Sequence, residues 1–135
     1  MRQTFEELKQ IGTGPYQDRN FCTVAALAMA LDWSFGKAHR HMAKNGRKNK
    51  RGMYSAEWVP ALTQAAESCD KAVTDITSNG YKGMTIGRFA RECRRGVYVI
   101  KVRGHALCVR DGVMHDWTAD TAGRRKIIQI LKVEG

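Results

Sequence analysis

The segment from Phe21 to Trp33, FCTVAALAMALDW, constrains the fold more than any other part of the sequence. Its apolar residues run round every side at the helical period, which indicates a helix enclosed by protein on all faces. We therefore predict a central helix here, with Asn20 as its N-cap and Cys22 in its first turn. A cysteine needed only for packing could lie anywhere along such a helix. The place of Cys22, where a polar loop gives way to a buried helix, makes it a candidate for chemistry.

Four further helices are predicted from capping residues, glycine stops and apolar spacing. Thr4 and Glu7 form a possible capping box for the first of them, and Ser34 is a candidate cap for the second. Pro60 lies too deep for a regular helix capped at Ser55, so the first turn there is predicted to be irregular or to begin later. The predicted segments are 4–12, 34–46, part of 55–69, and 85–96.

After Gly96 the pattern changes from helical to extended. Helices that come first and strands that come later are typical of an α+β domain, here a single domain over residues 1–135. We predict an antiparallel sheet packed against the central helix. Its strands are predicted at 97–102, 105–109, 113–117 and 126–133.

The dipeptide Asp111-Gly112 predicts a hairpin with a type I′ turn, which needs positive φ at both central residues. Counting back from that turn places His105, Leu107 and Asp116 on one face of the sheet, the face predicted to pack on the central helix. Asp116 is then diagonal to His105 and within reach of a hydrogen bond to the imidazole.

A Cys, a His and an Asp that meet at a helix N-terminus have a definite chemistry. The ordinary thiol pKa of about 8.5 falls to roughly 3.5–7.5 beside an imidazolium at a helix N-terminus, which makes Cys22 a nucleophile. Asp116 would hold His105 in one tautomer and stabilise its charged form. No cofactor is expected. No metal site is expected either, because His39 and His41 are two residues apart on a helix and point to different faces.

The chain is basic, with 23 Lys and Arg against 13 Asp and Glu and a net charge of +10. The densest patch is KNGRKNKRG, residues 44–52. It is either a solvated loop or a contact for a substrate, an acidic partner or nucleic acid, through Arg47, Lys48, Lys50 and Arg51. The four cysteines lack paired spacing, and no signal peptide or membrane span is visible, so free thiols and a cytoplasmic location are expected.

Three stretches, QDRNFCTVAALAMAL, KNGRKNKRGM and GHALCVRDGVMHDW, resemble papain-like cysteine peptidases in the broad sense. The likeness is greatest to bacteriocin-leader peptidase domains and to small papain-like proteins encoded by bacteriophages. The resemblance implies a papain-like fold, in which Cys22 is the nucleophile, His105 the general base and acid, and Asp116 the orienting residue.

The same resemblance implies an oxyanion hole and a cover for the site. Family members usually carry a Gln six residues before the Cys, and its side-chain amide helps to bind the oxyanion. Here Gln17 stands five residues before Cys22. The donor to the oxyanion would therefore be Gln17, Asn20 or only the backbone N–H of Cys22. Trp117 would shield the His and Asp from water.

We therefore expect a cysteine hydrolase that cleaves a peptide or isopeptide bond through a thioester, in a host cytosol if the chain is phage-encoded. Two alternatives stay open. One is a non-enzymatic basic binding module on the same scaffold, which would contact nucleic acid or an acidic host protein. The other is an acyltransferase that uses the same triad.

Overall fold

The computed structural model describes residues 3–116 and 123–135, which form an α+β domain. Within these residues the helices are α1 Phe5–Thr13, α2 Cys22–Leu31, α3 Phe35–Lys44, α4 Ser55–Glu67 and α5 Ile86–Glu92, with a 3₁₀ turn at Thr77–Asn79. The strands are β1 Ala72–Asp75, β2 Val97–Val102, β3 His105–Arg110, β4 Val113–His115 and β5 Gln129–Glu134. They form one antiparallel sheet in the order β1-β5-β2-β3-β4. No helix in the described ranges is long and apolar enough to cross a membrane.

The central helix α2 is enclosed as its sequence predicts. Every residue after Cys22 is buried, because α1, α3, α4 and the sheet all pack against it. The predicted N-cap is wrong: Phe21 occupies that position and makes no side-chain capping bond. Asn20 instead has a φ of 55° and donates from its side-chain amide to the carbonyl oxygen of Lys50, 3.1 Å away. Asn20 therefore joins two loops rather than capping a helix.

The two faces of the sheet carry separate cores. Val99, Cys108 and Leu131 pack with α2, whereas Ile100, Leu107 and Ile130 pack with α5. The prediction that the Leu107 face packs on the central helix is therefore wrong. Residues 106–109 are all buried, so both faces of β3 are apolar and alternation cannot distinguish them.

The predicted hairpin is confirmed. Asp111 and Gly112 have φ values of 50° and 81°, and Val109 is opposite Met114. The strand β4 is shorter than predicted, since it ends at His115, and β5 begins at Gln129 rather than at 126.

The largest differences from the predictions concern the regularity of α4, the ends of α3 and α5, and the strand β1. α4 is regular from Ser55 through Pro60. Pro60 is exposed, and because it has no backbone N–H, the helix lacks only the hydrogen bond from residue 60 to the carbonyl group of Ala56. α3 and α5 end before the glycines predicted to stop them, at Lys44 and Glu92. The strand β1 was not predicted, and it forms by pairing along β5 at the sheet edge. The capping box at Thr4 and the cap at Ser34 are confirmed, and Thr85, predicted as the first residue of its helix, is the N-cap of α5.

Candidate active site

Three side chains from distant parts of the chain meet at one end of the contact between α2 and the sheet. Cys22 is the first residue of α2, His105 is the first residue of β3, and Asp116 directly follows β4. Because His105 begins its strand, its side chain can reach the N-terminus of α2 even though Leu107 packs toward α5. Position at the end of the strand, rather than sheet face, brings the imidazole to the thiol.

The imidazole of His105 joins the other two groups. Its Nε2 lies 2.6 Å from Oδ1 of Asp116, whose side chain is 1 % exposed. The thiol of Cys22 hydrogen-bonds the same ring. Since Nε2 faces the carboxylate, Nδ1 is the ring nitrogen that remains for the sulfur. Cys22 is partly exposed, so the sulfur is open to a reagent while the carboxylate is shielded.

The electrostatics of the site favour a thiolate and an imidazolium. Burial raises the pKa of Cys22, but two kinds of interaction outweigh it and bring this pKa below its ordinary value. The sulfur accepts hydrogen bonds from His105 and from the N–H groups of Ala106 and Thr23, and the imidazolium charge stabilises the thiolate. Burial lowers the pKa of His105, but the bonds and charges of Asp116 and Cys22 outweigh it and raise this pKa to about 9. The two shifts act together to stabilise the ion pair near neutral pH.

The sulfur lies where two arms of one cleft meet. The first arm has a volume of about 610 Å³ and includes Arg19 and Arg125. The second arm has a volume of about 550 Å³ and includes Tyr54 and Lys101. The residues common to both arms are Asn20, Cys22, Gly52, Gly104 and His105. A chain that occupied both arms would therefore contact Cys22, which lines both of them.

The candidate oxyanion donors have different positions. Asn20 lines both arms beside Cys22, whereas Gln17 is exposed and is not among the described residues that line the cleft. The N–H of Cys22 belongs to the first turn of α2, where backbone donors have no acceptor within the helix. Asn20 and this N–H are therefore better placed than Gln17. Trp117, the predicted cover, lies outside the described residues.

Of the four cations singled out in the basic patch, one is buried and three are exposed. The side chain of Arg47 is 1 % exposed, so it is not available to a polyanion, and the sequence-based proposal for this residue is wrong. Lys48, Lys50 and Arg51 are exposed, and the last two line the second arm of the cleft. A run of charge in a sequence does not reveal which of its members faces inward.

Arg47 instead forms a buried ion pair with Asp18, a residue that the sequence did not single out. Its Nη1 and Nη2 donate to the two carboxylate oxygens at 2.8 and 3.1 Å, and Nη2 also donates to the carbonyl group of Arg19. The backbone N–H of Lys50 donates to Asp18 at 2.6 Å, and His39 Nε2 lies 2.9 Å from it. These contacts, which we call the loop clamp, fix residues 47–50 against residues 18–20, immediately before the nucleophile.

The other cysteines lie apart from this site. Cys69 accepts a hydrogen bond from Trp33, Cys93 lies near the Tyr81 hydroxyl, and Cys108 is buried in the core. No group of three or more potential metal ligands occurs within residues 3–116 and 123–135.

Comparisons with protein-family models, with curated proteins and with solved structures give no match for this chain. The geometry of the site therefore carries the inference of function.

Proposed function

We propose that this protein is a papain-like cysteine hydrolase that cleaves a peptide or isopeptide bond. The observation that carries the proposal is the continuous contact from the Cys22 thiol to the His105 imidazole and on to the Asp116 carboxylate, at the centre of an open cleft. The order of the three residues, at the start of a helix, at the start of a strand and directly after the neighbouring strand, also supports the papain-like assignment.

In the proposed reaction the Cys22 thiolate attacks the substrate carbonyl carbon, and the carbonyl π electrons move to oxygen. The N–H of Cys22 and the amide of Asn20 are the donors expected to stabilise this oxyanion, and losing one such donor typically costs about 3 kcal/mol. The imidazolium of His105 then gives its proton to the leaving amine as the C–N bond breaks, which leaves a thioester.

Water completes the cycle. Neutral His105 removes a proton from the water molecule, whose oxygen attacks the thioester carbon and displaces the Cys22 thiolate. The products are a carboxylic acid and the regenerated ion pair. Asp116 keeps the ring oriented and stabilises its positive charge throughout. If an amine replaces water in this step, the product is a new amide, so product analysis with and without added amine distinguishes hydrolysis from acyl transfer.

Alkylation by iodoacetamide across a pH series, followed by mass spectrometry of each cysteine, tests the proposed activation without a known substrate. At pH 6 we expect Cys22 to react about tenfold or more faster than Cys69 or Cys93, because an ordinary thiol is almost fully protonated there. In the variant His105→Asn, the pH at which the alkylation rate of Cys22 begins to rise should move upward, toward that of an ordinary thiol. Equal rates for Cys22 and Cys93 at pH 6 would contradict the proposal.

A further inference from the structure

The two arms of the cleft carry positive charge on both sides of the nucleophile. Arg19 and Arg125 line the first arm, and the second arm is lined by three cations, Lys50, Arg51 and Lys101. The acidic residue among the described lining is Asp116, which is bound to His105. Within the part of the chain that the structure describes, no carboxylate forms an ion pair with any of these five cations. Among the described residues, the lining of the cleft therefore presents a positive field around the sulfur.

Lys101 differs from the other four cations because it is held in place. It is half-buried on β2, and its ammonium group donates to the hydroxyl group of Ser55 at the start of α4. A cation in a partly enclosed, partly apolar setting attracts a negative group more strongly than one surrounded by water. The same arm contains Trp58, which is buried, and Tyr54, which is 81 % exposed. Both aromatic rings reduce the water around an incoming chain.

Lys101 is also close to the reacting atom. In the sheet it is directly opposite Ala106, whose backbone N–H donates to the Cys22 sulfur. Directly opposite residues in an antiparallel pair have Cβ atoms about 4.5–5.5 Å apart. A negative group that pairs with Lys101 therefore belongs to the substrate residues nearest the scissile bond.

We propose that the cleft selects an acidic peptide, with carboxylate side chains beside the bond to be cleaved, and that Lys101 is the main determinant of this selection. The inference rests on the proposed function, since it names the substrate class of the same site. A carboxylate supplies the opposite charge in the second arm, and further acidic residues pair with Arg19 and Arg125 in the first.

The ratio of the alkylation rates of iodoacetate and iodoacetamide at Cys22 measures this field with small probes. Both reagents carry the same leaving group, but iodoacetate is an anion, so the ratio divides out any general change in thiol reactivity. We expect Lys101→Met to lower the ratio roughly three- to fivefold in low salt, with less effect in 0.5 M salt. Lys101→Arg should restore it. Lys132→Met, on β5 outside the cleft, is the matched control and should leave the ratio unchanged.

The inference and the proposed function fail in different ways. Rapid reaction of Cys22 with iodoacetamide at pH 6, combined with a ratio that Lys101→Met does not change, would support an activated thiol and overturn the acidic selection. If Lys101→Met does not fold, the same measurement is made on Arg51→Met, which changes an exposed cation of the same arm. The proposal then requires that Arg51→Met lower the ratio of the iodoacetate rate to the iodoacetamide rate.

Binding to the Cys22→Ala variant distinguishes a peptide from a nucleic acid. Fluorescence anisotropy with a labelled hexapeptide of alternating Glu and Ala should give at least about fivefold tighter binding than its Gln counterpart. Lys101→Met in the same background should remove most of that difference. Equal affinity for the Glu and Gln peptides, or tighter binding of a hexathymidine oligonucleotide than of the Glu peptide, would overturn the proposal.

Discussion

The loop clamp yields a prediction about stability: Asp18→Asn destabilises the protein far more than a charge removed from the surface of the same loop. The side chains of Asp18 and Arg47 are 0 % and 1 % exposed, so the substitution leaves a guanidinium buried without its counter-charge. Breaking a buried ion pair from one side costs about 3–5 kcal/mol. Domains have a total free energy of unfolding of about 5–15 kcal/mol, so the loss is a large fraction of it.

Urea denaturation provides the assay. With a slope of about 1–3 kcal/mol per molar urea, the unfolding midpoint of Asp18→Asn should fall by about 1 M or more at pH 7. Lys48→Met, at an exposed position of the same loop, is the control and should change the free energy of unfolding by less than about 0.5 kcal/mol. The double variant Asp18→Asn/Arg47→Met should recover part of the loss, because the unpaired buried charge is removed.

The same prediction has a pH dependence with a definite sign. Burial raises the pKa of Asp18, but hydrogen bonds from Arg47 and from the N–H groups of Lys50 and Arg19 outweigh it and lower this pKa below 3.8. The stability that the carboxylate contributes is therefore fully present above pH 3.8 and is lost as the pH falls through the folded-state pKa. The difference between wild type and Asp18→Asn should shrink in acid. A loss below about 1 kcal/mol at pH 7 would refute the reasoning.

Two other substitutions test the surroundings of the nucleophile. Asp116→Asn removes a charged hydrogen bond to His105 that is worth about 1.5–3 kcal/mol, so the pKa of His105 should fall from about 9 toward its ordinary 6.5. NMR titration of the imidazole measures this pKa. An unchanged value would contradict the proposed pairing of His105 with Asp116. In Gly12→Ala, the new Cβ would lie 2.5 Å from the Phe21 ring, so we expect the free energy of unfolding, measured by urea denaturation, to fall by about 1–3 kcal/mol. Gln10→Ala, on the exposed side of α1, is the control and should leave that free energy nearly unchanged.

Much of the local structure was predictable because short stretches of chain encode it. The all-round apolar character of residues 22–31 indicates an enclosed helix, and Asp111-Gly112 selects a turn that fixes the hairpin register. From that register the contact between His105 and Asp116 follows by counting, and it is present at 2.6 Å. The strand β1 could not be found in this way, because three of its four residues are exposed and its pairing partner is almost sixty residues away.

The sequence by itself determined the five α-helices, the strands β2 to β5, the hairpin and the three reactive residue types, since periodicity and turn chemistry act between near neighbours. Only the tertiary structure decided which face of β3 meets α2, because residues 106–109 are apolar on both sides. Tertiary structure also gave Asp18 and Arg47 their positions, 29 residues apart in the chain and paired in the interior. Burial depends on what the rest of the chain packs over a residue, and neither residue's own neighbours in the sequence encode that.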